Sequence, residues 1–547
     1  MSRRASRTFS AHPRPTVTSR HGMVATSQPL AVQTGLDVLK AGGTAVDAAI
    51  AANAMLGLVE PMSCGLGGDL FAIVWNEADG RLHGLNASGR SPASMTWQDV
   101  LDRGHAKVPF QGPLSWSAPG CVDGWYALHE RFGRLPMEAL LQPTIAAARN
   151  GFEVTPVIAR QWAAATERLE DDPGARDVFL VDGRAPPAGE RFVNPQLART
   201  LEALCAAGRD AFYRGDLGDA LAAFSATAGG FLTKEDLATH RSSWVDPVCV
   251  TFRGHQVWQL PPNTQGLALL QMLTILDPFD LESMDPQGVE LLHLLIEAKK
   301  LAYEDRARFY ADPDFFDVPI EALLSDERAA HLRGRLDPNH AATELIPDDP
   351  RTAHTDTVYL TAVDADGNAV SLIQSIYQDF GSGVVPPDLG FAMQNRACLF
   401  HVDPAHANAY RPGKRPFHTI MPGFVTRDGR PVFSFGVMGG DMQPQGQLQV
   451  LLHRLVFGAD VQMAGEALRF RHAGSSTPVD HVMTDGGTVF LEPGFPEAVL
   501  EGLRQKGHRV ETRNEGFGGY QGIWIDREAG LLHGGSEPRK DGCALGY

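Results

Sequence analysis

The segment that most constrains this chain is a polar loop followed by a predicted hairpin, HTDTVYLTAVDADGNAVSLIQSIYQDFGSG, at residues 354–383. From Thr357 onward polar and apolar residues alternate, which predicts a strand. The turn-forming run at 364–368 then predicts a hairpin whose second strand covers 369–377. A threonine at the first position of a strand, directly after an exposed loop, is where an N-terminal nucleophile has to lie. An ordinary hairpin with a surface threonine would show the same pattern.

The chemistry of a threonine nucleophile requires this placement. A threonine hydroxyl is a poor nucleophile and needs an adjacent base. If the bond between Asp356 and Thr357 is cut, the new α-amine of Thr357 becomes that base, within one residue of the hydroxyl. General base catalysis of this kind contributes roughly 10²–10⁴-fold to a rate. Asp356–Thr357 is therefore the predicted cleavage site.

Seven sequence blocks, in one order, resemble the γ-glutamyltransferase family of N-terminal-nucleophile (Ntn) hydrolases over nearly the whole chain. The hairpin segment is one of them. The others are GMVATSQPLAVQTGLDVLKAGGTAVDAAIAANAMLGLVEPMSCGLGGD from Gly22, SAPGCVDGW from Ser117, LLHLLIEAKKLAYEDRARFYADP from Leu291, RPGKRPFHTIMPGF from Arg411, GVMGGD from Gly436 and GSEPRKDGCALGY at the end.

This resemblance implies an α+β fold, a four-layer αββα Ntn hydrolase sandwich whose two stacked sheets meet at the nucleophile. It also implies a precursor that cleaves itself before Thr357. The products would be a large subunit, residues 21–356, and a small subunit, residues 357–547, in one intertwined core. Residues 1–20 are expected to form a mobile tail. A dimer of such heterodimers is a candidate assembly.

The resemblance also assigns roles to individual residues. Arg90 aligns with the arginine that holds the substrate's carboxylate, for which a planar guanidinium is well suited. Gly439 and Gly440 align with the oxyanion hole, where glycine lets the backbone approach a reacting carbonyl. Ser375 aligns with a hydroxyl residue that positions the nucleophile. Without the resemblance, these residues would be a surface charge, a glycine turn and a plain strand serine.

Several positions depart from a γ-glutamyl transferase. Leu399 stands where such enzymes have the aspartate that binds the substrate's α-ammonium. Arg396 replaces a neutral glutamine, and Tyr377 replaces an asparagine. His418 and Thr419 replace a pair of serines that help to hold the carboxylate. The lid loop of many relatives also has no counterpart, since a short segment, residues 401–410, joins the neighbouring blocks.

These departures predict a substrate other than a γ-glutamyl compound. An α-ammonium near Arg90 and Arg396 would be repelled, by about 4 kcal/mol per pair at ~4 Å and an effective dielectric near 20, whereas a carboxylate would be attracted. We therefore expect a small-molecule amide whose acyl group carries a carboxylate but no α-amine, of the oxamate, glutaryl or succinyl type. The chain is similar to the family's branch of oxamate amidohydrolase and cephalosporin (glutaryl) acylases.

Alternatives remain at this point. The chain could be a glutathione hydrolase or γ-glutamyl transferase with unusual amine recognition, and a cephalosporin-type acylase activity could be incidental. It could also be an uncleaved, non-enzymatic binding module. Arg396 could form a structural ion pair instead of binding substrate.

Composition excludes several classes of function. The net charge of −17, with scattered basic residues, argues against nucleic acid as a partner. The longest apolar stretch, residues 48–59, is too short to span a bilayer. The basic N-terminus has no apolar core of a secretory signal, so the cytoplasm is the expected location.

The six cysteines are widely spaced and expected to be reduced. No HExxH, CxxC or Walker motif occurs, so no metal and no cofactor is expected.

Two helical patterns bear on the fold. Residues 34–58 predict an amphipathic helix that is interrupted at Gly42–Gly43. Residues 291–310 predict a long helix whose charged residues recur every three or four positions. Those charges, which include Glu297, Lys300 and Glu304, predict a solvated face with ion pairs.

Overall fold

The computed structural model describes residues 13–344, 357–479 and 482–547. The strands of these segments, in chain order, are β1 (Val17–Ser19), β2 (Met23–Thr26), β3 (Asp69–Asn76), β4 (Arg81–Ala87), β5 (Phe152–Glu153), β6 (Arg191–Phe192), β7 (Ser243–Val245), β8 (Val248–Phe252), β9 (His255–Gln259), β10 (Val358–Val363), β11 (Ala369–Ser375), β12 (Gly423–Arg427), β13 (Arg430–Met438), β14 (Phe470–Ala473), β15 (Thr488–Leu491), β16 (Val510–Thr512), β17 (Gly519–Asp526), β18 (Leu531–Ser536) and β19 (Cys543–Gly546).

The α-helices of the same segments are α1 (Pro29–Lys40), α2 (Ala45–Val59), α3 (Trp97–Asp102), α4 (Cys121–Phe132), α5 (Met137–Asn150), α6 (Pro156–Ala164), α7 (Thr166–Glu170), α8 (Pro173–Phe179), α9 (Pro195–Ala207), α10 (Arg209–Tyr213), α11 (Asp216–Thr227), α12 (Lys234–Thr239), α13 (Gly266–Leu276), α14 (Val289–Phe309), α15 (Ile320–Leu323), α16 (Asp326–Arg333), α17 (Met442–Leu451), α18 (Val461–Glu466) and α19 (Glu497–Gln505). None of the helices that the structure describes combines the length and the apolar composition that a bilayer-spanning segment requires.

Two seven-stranded sheets form the centre of the molecule. Sheet I has the order β1-β18-β17-β13-β12-β9-β8, and sheet II has the order β19-β2-β10-β11-β3-β4-β7. Every pair of neighbouring strands in both sheets is antiparallel. The predicted hairpin forms the β10–β11 pair, with Val358 opposite Gln374 and Val363 opposite Ala369.

Three apolar clusters define the layers. The cluster between the sheets includes Phe71, Tyr359, Phe424 and Met438. A second cluster joins sheet II to helices such as α1, α2 and α5. A third joins sheet I to α13, α14 and α17. The arrangement is the predicted four-layer αββα sandwich, because each sheet buries one face against the other sheet and one face against helices.

The predicted break in the first helical region separates α1 from α2. Gly42 has a φ of +88°, a conformation that glycine adopts without steric cost. Thr44 then caps α2, since its side chain accepts the backbone N–H of Asp47 while the Asp47 carboxylate accepts the N–H of Thr44. The interruption is therefore confirmed.

The charged face of α14 differs from the prediction. Glu297, Lys300 and Glu304 are buried, with exposed fractions of 4%, 1% and 6%. The predicted ion pairs are present, for example Lys300 Nζ with Glu297 Oε1 at 2.8 Å. A solvated face was wrong because a later loop covers the helix: Ala342 accepts a hydrogen bond from Lys300 and donates one to Glu297.

Both sheets mix strands from the two sides of the predicted cleavage site. Sheet I contains β1, β8 and β9 from before it, and sheet II contains β2, β3, β4 and β7. Asp356 itself lies outside the described residues. Val17–Ser19, which fall within the expected N-terminal tail, form an edge strand paired with Leu532–Gly534, so any tail is shorter than residues 1–20.

Candidate active site

Thr357 lies directly before β10, a central strand of sheet II, and is 1% exposed. The alternative of a surface threonine is therefore wrong. Its hydroxyl donates to the Ser375 hydroxyl at 3.3 Å, which is long for a bond of this kind. Ser375 ends β11 and accepts the backbone N–H of Tyr377 at 2.8 Å. The hairpin register thus brings the two predicted hydroxyl residues together, with the second fixed by a backbone bond.

The facing sheet brings Gly439 and Gly440 toward the same point. Across the interface, Thr361 Oγ1 donates to Ser434 Oγ at 2.6 Å, and a Cβ on Gly436 would lie 2.4 Å from the Tyr359 ring. As the residue number falls from 361 to 359 on β10, that of the facing residue rises from 434 to 436 on β13. The two strands therefore run in opposite directions across the interface. Because Thr357 precedes β10 and the glycines follow β13, the start of β10 and the end of β13 lie at the same edge of the interface.

The two glycines form a tight turn, here called the oxyanion turn after the role that the family resemblance predicts for it. Their φ values are +112° and +55°, which favour glycine at both positions. The carbonyl of Gly439 accepts the N–H of Met442 at 3.0 Å, and that of Gly440 accepts the N–H of Gln443 at 3.1 Å. Since C=O and N–H point in opposite directions across a trans peptide, anchoring the Gly439 carbonyl also fixes the direction of the Gly440 N–H.

Arg396 forms the centre of a buried polar group with Tyr377, His418 and Thr419, here called the carboxylate pocket after the ligand that the sequence predicts for it. Arg396 is 0% exposed, donates from Nη1 to Thr419 Oγ1 at 3.0 Å, and lies 4.5 Å above the Tyr377 ring. Its Nε and Nη2 have no hydrogen-bond partner among the described residues. No described carboxylate lies within ion-pair distance, so the alternative of a structural ion pair finds no support there. Burial lowers the pKa of Arg396 to about 10, which leaves it charged at neutral pH.

His418 lies next to this arginine and is uncharged at neutral pH. Burial, followed by the positive charge of Arg396, lowers the pKa of His418 to about 4. Asp69 opposes that shift, since its Oδ2 lies 3.2 Å from His418 Nε2. The other oxygen of Asp69 accepts the backbone N–H groups of Gly89 and Gly120 at 2.9 and 3.1 Å. Our sequence interpretation missed Asp69, although it ends the block GLGGD.

Arg90 lies in a different charge cluster. Its guanidinium contacts Asp314 Oδ2 at 2.5 Å, Asp312 Oδ2 at 3.4 Å and the Gly413 carbonyl at 3.1 Å. Arg415 shares Asp314 at 3.3 Å. The side chain of Arg90 is 36% exposed. Two acidic side chains thus already offset the charge of Arg90, whereas Arg396 has no comparable partner among the described residues.

Leu399 ends the short 3₁₀ turn that begins at Arg396 and is buried in the apolar cluster beneath sheet I. An apolar side chain at this position cannot pair with an ammonium group. The short segment after it is folded back on itself, because His401 donates its N–H to Asn408 O at 2.9 Å and Asn408 Nδ2 donates to Leu399 O at 2.7 Å.

One group of side chains elsewhere has the composition of a metal site: His293, Glu297 and His508, all buried. Their polar atoms already bind one another, since His293 Nδ1 lies 2.8 Å from His508 Nε2, and Lys300 Nζ donates to Glu297 at 2.8 Å. A cation would have to displace this ammonium, so the group fits a polar network better than a metal centre.

A further buried side chain connects the parts of the site. Gln265, at the start of α13, donates from Nε2 to the carbonyls of Thr419 and Gly440. Sequence interpretation missed it because nothing in the segment PPNTQG distinguishes this glutamine from a polar loop residue.

Known proteins resemble this chain over nearly its whole length. The family model described as Gamma-glutamyltranspeptidase matches residues 31–547. The chain is 37% identical to the glutathione hydrolase-like YwrD proenzyme of Bacillus subtilis, covering 96% of this chain and 98% of the relative. It is 36% identical to the oxamate amidohydrolase proenzyme of Klebsiella pneumoniae, covering 97% and 99%.

A solved structure, that of cephalosporin acylase from Bacillus halodurans, superposes with a TM-score of 0.90 at 42% identity, covering 100% of this chain and 99% of the other. These relatives carry the names of enzymes, which disfavours the alternative of a non-enzymatic binding module. The chain therefore belongs to the gamma-glutamyltranspeptidase family and is a hydrolase with the Ntn fold.

Proposed function

We propose that this protein is a self-cleaving amidohydrolase whose nucleophile is Thr357 and whose substrates carry a carboxylate, but no α-amine, on the acyl group. The observation that carries this proposal is the setting of Arg396. A fully buried guanidinium with two N–H positions lacking a described partner is costly unless an anion completes its bonding.

The first step is scission of the Asp356–Thr357 bond, which the proenzyme names of the two relatives support for this chain as well. The cut leaves residues 357–547 with a free α-amine at Thr357. The two products remain together because strands from both lie side by side in both sheets. The amine and the hydroxyl that it deprotonates then belong to the same residue.

In turnover, the hydroxyl oxygen of Thr357 attacks the amide carbonyl while the α-amine takes the hydroxyl proton. Backbone N–H groups of the oxyanion turn stabilise the tetrahedral oxyanion. The C–N bond breaks, the leaving amine departs with the proton, and an ester links the acyl group to Thr357. Water, deprotonated by the same amine, hydrolyses this ester, which releases the acid and restores the threonine.

The carboxylate pocket selects the acyl group. A carboxylate can accept one hydrogen bond from Nε and one from Nη2 of Arg396, the bidentate geometry that a guanidinium favours. Neutral His418 adds no charge of its own. Leu399 offers no partner to an α-ammonium, and Arg396 repels one. Arg90, partly neutralised by Asp312 and Asp314, is a secondary contact at most.

Two substrates that differ in one group test this selectivity. Glutaryl-p-nitroanilide and γ-glutamyl-p-nitroanilide have the same length and leaving group and differ in the α-amine. We expect the glutaryl compound to be turned over roughly tenfold faster or more, because Arg396 repels the α-ammonium of the other compound. Oxamate should be hydrolysed as well. Clear turnover of the γ-glutamyl compound, with none of oxamate or the glutaryl amide, would favour a glutathione hydrolase or γ-glutamyl transferase instead.

The variant Thr357→Ala tests the nucleophile. It should give one full-length band on a denaturing gel and no amide hydrolysis, because both the scission and the turnover need the hydroxyl. Thr361→Ala, on the same strand, is the matched control and should give two bands and normal activity. Full activity from an uncut chain would overturn the proposed mechanism.

A further inference from the structure

Gln265 joins the two halves of the proposed site. It is fully buried, and its primary amide has two N–H donors. One donates to the carbonyl of Thr419, whose hydroxyl accepts from Arg396. The other donates to the carbonyl of Gly440 at 2.9 Å, in the oxyanion turn. A single side chain therefore ties the carboxylate pocket to the oxyanion turn.

Arg306 fixes the orientation of this amide. Its Nη1 donates to Gln265 Oε1 at 2.6 Å and to Asp441 Oδ1 at 2.7 Å. Since arginine has donors and no acceptor, the oxygen of Gln265 must face Arg306 and the nitrogen must face the two carbonyls. The guanidinium also lies 3.7 Å from the ring centre of Tyr303, whose hydroxyl donates to the Asp441 carbonyl at 2.6 Å. The amide is thus held from both ends.

We propose that Gln265 is a positioning residue that fixes the distance between the oxyanion turn and the carboxylate pocket, and thereby selects acyl groups of one length. The inference rests on the proposed function, because it needs one end of the acyl group at each place. In an acyl group with two carboxyl carbons, chain length sets the separation of the reacting carbonyl from the far carboxylate. A site of fixed span binds one length in a reactive geometry, and misplacement of about 1 Å costs roughly 10²-fold.

The test is a series of p-nitroanilides of dicarboxylic acids: oxalyl, succinyl, glutaryl and adipyl. It is measured on the mature wild type, Gln265→Glu and Gln449→Met. Gln265→Glu keeps an acceptor for Arg306 but loses both donors. Gln449 is the matched control, since it is also buried and donates to two carbonyls, those of Gln445 and Phe470, away from the site.

We expect Gln265→Glu to lower kcat/KM on the preferred length by roughly 10- to 100-fold, the effect of losing two hydrogen bonds. It should lower the neighbouring lengths less, so that the preference flattens. Gln449→Met should keep the wild-type preference. An unchanged length preference in Gln265→Glu would overturn the inference. If Gln265→Glu gives no cut subunits, Arg306→Lys, which frees the amide from its fixed orientation, should flatten the preference in the same direction.

The same series separates this inference from the proposed function. β-Aspartyl- and γ-glutamyl-p-nitroanilide, which carry the α-amine, are measured beside it. If the wild type hydrolyses these two and none of the amine-free compounds, the proposed substrate class is wrong, while the effect of Gln265→Glu on their ratio still decides the role of Gln265. Absence of turnover on both series would contradict both proposals.

Discussion

Two of the buried arginines, Arg469 and Arg396, differ in the partners that their guanidinium groups have. Arg469, just before β14, donates to Glu537 at 2.9 Å and to the carbonyls of Phe517 and Gly465 at 2.9 and 2.7 Å. Within the described part of the chain, Arg396 donates to one hydroxyl, that of Thr419. Burial lowers the pKa of both.

The difference separates an arginine whose charge is balanced within the fold from one that, in the proposed function, binds the carboxylate of the substrate. Removing an arginine from a buried ion pair leaves a carboxylate without its partner, which is strongly destabilising. Removing an arginine that donates to one described hydroxyl, as Arg396 does, leaves no buried charge without its partner. Loss of stability is therefore expected at Arg469 and loss of activity at Arg396.

The largest expected effect is on stability. Arg469→Met should lower the free energy of unfolding by about 3 kcal/mol, the low end for a broken buried pair, because Arg539 still contacts Glu537 at 2.7 Å. Thermal or denaturant unfolding measures this. The variant should keep its KM once folded, and a stability equal to that of the wild type would remove the contrast between the two arginines.

Arg396→Met should lower activity and leave stability intact, the reverse of Arg469→Met. We expect kcat/KM for a carboxylate-bearing anilide to fall roughly 100-fold or more, since charged hydrogen bonds contribute about 1.5–3 kcal/mol each. The unfolding temperature should be unchanged or higher, because the cost of burying the charge disappears. A variant that loses stability but keeps its activity would show that Arg396 has a structural role after all.

A ligand should stabilise the wild type through the same side chain. Glutarate, the acid that hydrolysis of a glutaryl amide releases, at ten times its Kd should add about 1.4 kcal/mol to the free energy of unfolding of the mature enzyme. The shift should vanish in Arg396→Met and remain in Arg90→Met, if Arg90 is a secondary contact. Loss of the shift in Arg90→Met alone would assign the carboxylate to Arg90.

The smallest effect concerns acid stability. The pKa of His418 is about 4 in the folded chain, against an ordinary 6.5, so the unfolded chain takes up a proton between these values and the folded one does not. Stability is therefore lost as the pH falls from about 6.5 to about 4. In Arg396→Met the repulsion on His418 disappears, and the loss should shrink by on the order of 1 kcal/mol. Unfolding midpoints at pH 7 and 4.5 measure this, and equal losses in both proteins would contradict it.

Local sequence patterns predicted the strands, turns and helix breaks well. They failed where burial depends on residues that are distant in the sequence. The hairpin around residues 364–368 and the break at Gly42–Gly43 follow from turn residues and alternation within a few positions. The charges of α14 have the spacing of a surface helix, yet Ala342 covers them, and no local signal reports a loop that returns over a helix.

In the candidate site, too, residues within sequence motifs were predicted, and a residue that depends on distant partners was not. Resemblance identified Thr357 and Ser375, and a departure from the family pattern drew attention to Arg396; the structure places the first two in contact. It did not predict Gln265, whose partners Thr419 and Gly440 lie more than 150 positions away in the chain. Side chains that act through such distant bonds carry no motif of their own.

The interleaving of strands across residue 356 also bears on how this protein denatures. Before the proposed cut, refolding is unimolecular, because one covalent chain carries every strand of both sheets. After it, two molecules that have drifted apart must find each other again, so recovery becomes second-order and depends on concentration. Heating the mature enzyme is thus a one-way process at high dilution, and its persistence is governed by the rate at which it first opens.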